Sequence, residues 1–440
     1  MKTQIDEFFN VNLSAFDWYI LYETAFHFVT HPHSTIFERT ILTRKARKAL
    51  RESLVDKIST IRKRVSEYPE IAEEAPHVCE FHQNHELKER FKTVKIEASF
   101  SKSEFDLLFA VVELLMKREG NISGSHELLY VYCWDNALED LNETYGALKR
   151  IMKETRQIPG IDAKEREKEN RASRGSVENG ATSQSDMIRT FKIDDGLELV
   201  FRWIPPGTCR TGADFLAPES FSDEIERTVA FDSGFWMMDS LVTTRMILAS
   251  NPCFLLSVEW LFDGLRDEEK QIDQEEVLNY PACITWRDAT KFCRFLSSRF
   301  ADSDEIFQVP TEEQWEYAAL AGRDYSSANS RDYILQNCWV WENLEKKEEY
   351  PYIRSLPHKS EEKEPNPWGL YGMQGNLREW TSTRYRHPIL NDVEMFLYRH
   401  LRVARSCRYK DYWSCARTSF RMPISYGDAG LRPVIVSRKR

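Results

Sequence analysis

A chain of 440 residues with 42% hydrophobic and 30% charged residues has enough apolar material for two or three domains with real cores. Its formal net charge of −10 excludes nucleic-acid binding through bulk charge. No run of about 18 apolar residues occurs, so no transmembrane helix and no membrane partner is expected.

The opening stretch MKTQIDEFFNVNLSAFDWY carries acids and lacks the apolar core and small-residue cleavage site of a signal peptide, which predicts a cytoplasmic protein. Nine cysteines, an odd number spread from Cys79 to Cys415, fit a reducing compartment and read mostly as buried free thiols.

Residues 1–155 read as an all-α domain. Leu42, Ala46, Leu50, Leu54, Ile58, Ile61 and Val65 recur at steps of three and four, the stripe of a long amphipathic helix. The same stretch is basic: Arg39, Arg44, Lys45, Arg47, Lys48, Arg51, Lys57, Arg62, Lys63 and Arg64 stand against Glu52 and Asp56. Such a face suits phosphate backbones, an acidic protein surface or plain solvation, and Arg44, Lys45, Arg47 and Lys48 are its candidate binding residues. His77, Cys79, His82, His85 and Glu86 cluster zinc-ligand types, but their spacing fits no standard finger and they read as solvated loop residues. A second helix is predicted around Phe105, Leu108, Val111, Val112 and Leu115, capped by Ser101 or Ser103, and a third over residues 126–153.

Residues 156–187 read as a flexible linker, because Ala163 to Asp186 holds almost no large apolar side chain. From residue 188 to 440 the texture becomes α+β. Leu197 to Ile204 alternates as a strand stopped by Pro205-Pro206-Gly207. Cys283 to Trp286 predicts a short strand entering a helix capped by Thr285 and Asp288, with Ala289, Phe292, Cys293 and Leu296 inward. Thr311 with Gln314 forms a second capping box, and Gly322 ends that helix. NPWGLYGMQGNLREW, Asn366 to Trp380, is a glycine-bent loop loaded with aromatics.

WIPPGTCRTG, FWMMDSLVTTRM, PACITWRDATKFCRFLSSR, VPTEEQWEYAALAG, the Asn366–Trp380 loop and RVARSCRYKDYWSCARTSFR…GLR follow one another in an order that resembles the formylglycine-generating enzyme (sulfatase-modifying factor) family. The resemblance covers roughly residues 190–440 and implies a C-type-lectin-like fold there. It implies copper(I) chemistry if a pair of cysteines is kept, since soft thiolates suit Cu(I). The candidate pair is Cys407 and Cys415, eight apart rather than five. Ser406 and Cys407 replace the family's two turn glycines, and Asp411 falls about where the first ligand would lie. Asn376 and Glu379, in the Gly-Asn-x-x-Glu-Trp motif, are the ligands the resemblance implies for calcium, although Gly372 and Arg378 depart from the pattern.

The resulting expectation is a non-catalytic recognition or adaptor protein, of the kind the family supplies to bacterial signalling and defence systems, with a protein partner. Tyr409, Tyr412, Trp413 and Tyr426 are candidate contact residues, because amphipathic aromatics anchor interfaces. Two alternatives stay open: a copper-dependent oxidase converting a substrate cysteine to formylglycine, and nucleic-acid binding through residues 39–64.

Overall fold

The computed structural model describes residues 8–21 (save 19), a few positions between 57 and 89, then 91–119, 137–156, 187–251 (save 218), 274–344, 357–387, 401–424 and 429–438. Most of the predicted 42–65 helix, the zinc-ligand cluster and the linker lie outside these residues. Among the described residues no helix is long and apolar enough to cross a membrane.

The N-terminal part is not all-α. Strand β1, Phe8–Ser14, pairs antiparallel with β2, Lys95–Ser101, in a two-stranded ribbon. The signal is period-two burial: Val11 and Leu13 face inward on one strand, Ile96, Ala98 and Phe100 on the other. Because the two strands are far apart in sequence, neither looks like half of a hairpin. Trp18 locks the ribbon, donating from Nε1 to the Ile96 carbonyl at 2.9 Å and stacking on Phe100.

Two helices follow: α1, Lys102–Glu119, and α2, Ala137–Arg156. Ser101 caps α1, its Oγ accepting from Glu104 N at 3.3 Å while the Glu104 carboxylate accepts from Ser101 N at 2.9 Å. Phe105, Leu108 and Val112 of α1 and Leu141, Tyr145 and Leu148 of α2 are buried.

The remaining chain builds an antiparallel five-stranded sheet of order β3-β4-β7-β12-β8. Its strands are β3 (Ile188–Asp194), β4 (Leu197–Ile204), β7 (Phe235–Met238), β8 (Glu305–Gln308) and β12 (Val434–Ser437). Strongly twisted sheets curl, and here the two edges meet: Phe191 of β3 lies 5.3 Å from Phe307 of β8, and Arg189 pairs with Glu305 at 2.8 Å. Strands β5 (Gly207–Thr211) and β6 (Arg227–Phe231) form a ribbon beside it.

A three-stranded sheet, order β11-β10-β9, comprises β9 (Glu379–Arg384), β10 (Arg402–Arg405) and β11 (Met422–Ile424). Helix α3 (Thr244–Ser250) precedes α4 (Trp286–Phe300), which Thr285 caps by accepting from Asp288 N. Ile284 makes only an isolated bridge to Ala429, so the strand expected at Cys283 to Trp286 does not form. Helix α5, Glu312–Leu320, carries the capping box of Thr311 and Gln314 and ends on Ala321 at φ 48 followed by Gly322 at φ 75.

Helices α1 and α2 and the C-terminal sheets share one hydrophobic cluster. A chain of rings joins them, Phe109 to Tyr145 at 5.2 Å, Tyr145 to Phe221 at 6.1 Å and Phe221 to Phe420 at 5.8 Å. Burial of each such ring stabilises the packing by roughly 1.5–3 kcal/mol.

Candidate functional site

The Asn366–Trp380 loop bends at Gly369, Gly372 and Gly375, all at positive φ. A Cβ on Gly375 would sit 2.4 Å from the Trp339 carbonyl oxygen, so close strand-like contact with Trp339 requires glycine. Asn376, itself at φ 60, spends its amide on one residue: Oδ1 accepts from His358 N and Nδ2 donates to His358 O, both at 2.8 Å. Glu379 is fully buried, and its carboxylate accepts from Trp315 Nε1 at 2.8 Å and from Arg432 at 2.9–3.2 Å. The cation that satisfies Glu379 is therefore Arg432 and not the neighbouring Arg378. With both donor sets consumed by protein partners, Asn376 and Glu379 do not fit a calcium site.

The segment after β10 shows how the family's glycine turn has been rebuilt. Ser406 adopts φ 63, a conformation that favours glycine, and its hydroxyl donates to the Gly375 carbonyl at 3.0 Å. Asp411, fully buried, accepts from Arg408 N at 2.8 Å and from Arg378 at 3.2 Å. The position expected for a metal-binding thiol thus holds a carboxylate locked into a turn and an ion pair.

Cys407 and Cys415 are brought near Asp411, at 0% and 2% exposure. Burial, reinforced by the Asp411 charge, pushes the Cys407 thiol well up and the Cys415 thiol to about 12. Both stay protonated at neutral pH, and neither opens to solvent where a substrate thiol could reach a metal between them. This pair does not fit an open copper site. Among the described residues no group of three or more His, Cys, Asp or Glu side chains is arranged to hold a metal ion.

The aromatic candidates divide. Tyr409 is core, 5% exposed, with its N–H on the Asn376 carbonyl at 2.8 Å. Tyr412 and Trp413 are half-buried at the surface, and the Glu342 carboxylate holds Trp413 N at 3.0 Å. Trp341, also half-buried, donates its backbone N–H to Asp411 O at 3.0 Å and so stands beside them. Tyr426, Arg44, Lys45, Arg47 and Lys48 lie outside the described residues.

A buried charge network went unread in the sequence. Arg417 grips Glu224 at 2.5 and 2.8 Å, Arg421 grips Glu312 at 2.8 and 3.1 Å, and Arg405 reaches Glu316 at 2.5 Å. It continues into α1, where Lys117 pairs with Asp223, and Asp223 also accepts from Tyr385 Oη at 2.9 Å. Glu113 accepts from Tyr145 Oη at 2.5 Å and Ser222 N at 2.9 Å, with His387 Nε2 at 3.2 Å and Lys117 Nζ at 3.4 Å. Burial alone would raise the Glu113 carboxyl; Lys117 and His387, with hydrogen bonds from His387 and Ser222, hold it well below the ordinary range. Lys149 of α2 donates to the carbonyls of Ala217 and Ser220 at 2.8 and 2.9 Å, and burial lowers it to about 8. The one available signal was the arginine spacing in RTSFR, Arg417 and Arg421, facing acids in Asp223-Glu224.

Residues 198–434 match the family profile described as a sulfatase-modifying factor enzyme 1-like domain. The chain is 30% identical over 168 residues to chaperone protein LppX of Paenibacillus barcinonensis, covering 28% of this chain and 56% of that protein. It is 28% identical over 115 residues to the inactive C-alpha-formylglycine-generating enzyme 2 of Bos taurus, covering 25% and 35%. To the formylglycine-generating enzyme of Streptomyces coelicolor it is 32% identical over 117 residues, covering 24% and 32%. The matches thus span about half or less of these relatives' length. Among solved structures, Treponema denticola variable protein 1 aligns over 56% of this chain and 98% of its own, at 18% identity and a TM-score of 0.42. With more than half its length matched, from residue 198 to 434, the chain belongs to the sulfatase-modifying factor enzyme 1-like family.

Proposed function

We propose that this chain is a non-catalytic recognition protein, in which a C-type-lectin-like scaffold of the family presents a binding face to a protein partner. The observation that carries the proposal is the sealed cysteine pair: Cys407 and Cys415 lie in the core, and Asp411 is committed to Arg378 and Arg408. An oxidase of the formylglycine-generating type needs thiolates open to substrate and oxygen, and this interior offers neither. Relatives named as an inactive enzyme and as a chaperone are in keeping with a family member that works without the oxidation. Half-buried Trp341 and Trp413, held through Asp411 and Glu342 respectively, with Tyr412 next to Trp413 in the chain, supply rigid amphipathic anchors of the kind that dominate protein interfaces.

The test is direct. Full-length protein loaded with Cu(I) under oxygen is incubated with a cysteine peptide, and aldehyde is detected by hydroxylamine capture. No aldehyde above the copper-only control is expected. Aldehyde that appears with the wild type and disappears in Cys415→Ser would establish the oxidase and end the proposal.

A further inference from the structure

In the three-stranded sheet, Arg402 of β10 stands directly opposite Arg384 of β9. Like charges at directly opposed positions of an antiparallel pair repel, and a neighbouring acid would relieve them. Here none does so: among the described residues neither arginine has a carboxylate partner, whereas Arg405, Arg417, Arg421 and Arg432 are each ion-paired. Arg402 stacks on the Trp286 indole at 3.8 Å and donates to the Ser382 carbonyl. Those contacts fix the guanidinium without neutralising it. Burial and the Arg384 charge both disfavour its cationic form. Arg384 is exposed, so the pair opens to solvent, and Trp286 is itself braced by Trp380 at 5.9 Å.

We propose that Arg384 and Arg402, backed by Trp286, form a binding site for a phosphate monoester group. Two positive charges on adjacent strands, without a carboxylate partner among the described residues, match a dianion, and a phosphate monoester carries about −1.5 to −2 at pH 7. A carboxylate would cancel only half of the charge. Guanidinium groups also suit phosphate geometrically, because their N–H forks donate to two oxygens at once. The phosphate is either free or carried on a larger molecule, and the two sources share this chemistry.

Full-length protein is titrated with inorganic phosphate and, separately, with phenyl phosphate at constant ionic strength, followed by tryptophan fluorescence and thermal midpoint. Saturable binding with a raised midpoint is expected, with acetate at least tenfold weaker. Equal half-saturation for the two phosphates identifies the free anion as sufficient; a tenfold preference for phenyl phosphate identifies an ester carried on a larger group. Arg384→Gln, at an exposed position, is expected to weaken binding at least tenfold. Arg384→Glu gives Arg402 an internal partner, so it should raise the ligand-free midpoint and abolish the phosphate effect. The proposal fails if phosphate acts no more strongly than chloride at matched ionic strength, or if Arg384→Glu still binds.

Discussion

Replacing Lys117 by Met probes the join between α1 and the family domain. The ammonium is 1% exposed and the Asp223 side chain that it meets is 0% exposed. Methionine keeps the length and loses the charge, leaving Asp223 with Tyr385 at 2.9 Å and the more distant Arg421 at 3.6 Å. Breaking a buried ion pair from one side costs about 3–5 kcal/mol. The remaining partners of Asp223, and those of Glu113, place this case near the lower end, at roughly 3 kcal/mol. The assay is a double-mutant cycle of Lys117→Met, Asp223→Asn and the double variant, unfolded in urea and followed by far-ultraviolet dichroism and tryptophan fluorescence. Each single variant should cost more than the second change does once the first is present, with a coupling of at least ~1.5 kcal/mol. Both signals should shift together, because the pair bridges helix α1 and the Phe221–Glu224 segment. Costs that add to within about 0.5 kcal/mol would refute the reasoning.

The Glu113 and Glu312 carboxyls are held below their ordinary value of 4.5, burial being outweighed by Lys117 and by Arg421 respectively. Their contribution to stability is complete above that value and drains as pH falls below it, so acid unfolding should be steep there and flatter in Glu113→Gln, read as thermal midpoint against pH. Lys149 runs the other way: its folded value of about 8 lies below 10.5, so the unfolded chain binds the extra proton between them. Stability should therefore gain from this group as pH rises from 8 towards 10.5, and Lys149→Met should remove that rise. Cys407 and Cys415 should resist a thiol reagent in the native protein and react on unfolding, as mass mapping of labelled peptides would show. Gly375→Ala, which forces a Cβ against the Trp339 carbonyl at positive φ, should cost at least ~2 kcal/mol in the same urea assay.

What the sequence disclosed was local. The capping box of Thr311 and Gln314, the Thr285 cap and the Leu197–Ile204 strand are legible because each signal lies within a few residues of its own partner. The Phe8–Ser14 strand was hidden for the opposite reason, since its pairing partner begins at Lys95 and no turn chemistry announces it. The same distance hid the Glu379 partner. Arg378 is adjacent in sequence, yet its side chain turns to Asp411, while Arg432 arrives from another part of the fold. Residues that settle the site, among them Asp411 with Arg378 and Ser406 with Gly375, follow from which segments the fold lays side by side. Spacing between cysteines could raise the question of catalysis, but only burial of Cys407 and Cys415 bears on its answer.

The position of β12 has a consequence for biosynthesis. Val434–Ser437 lies between β7 and β8, hydrogen-bonded to both, although those strands are made far earlier. Until it emerges from the ribosome, β7 and β8 each carry an open edge with unpaired backbone groups over an apolar face. The five-stranded sheet therefore cannot close during most of the domain's synthesis, and the nascent chain depends on protection of those edges until β12 has emerged.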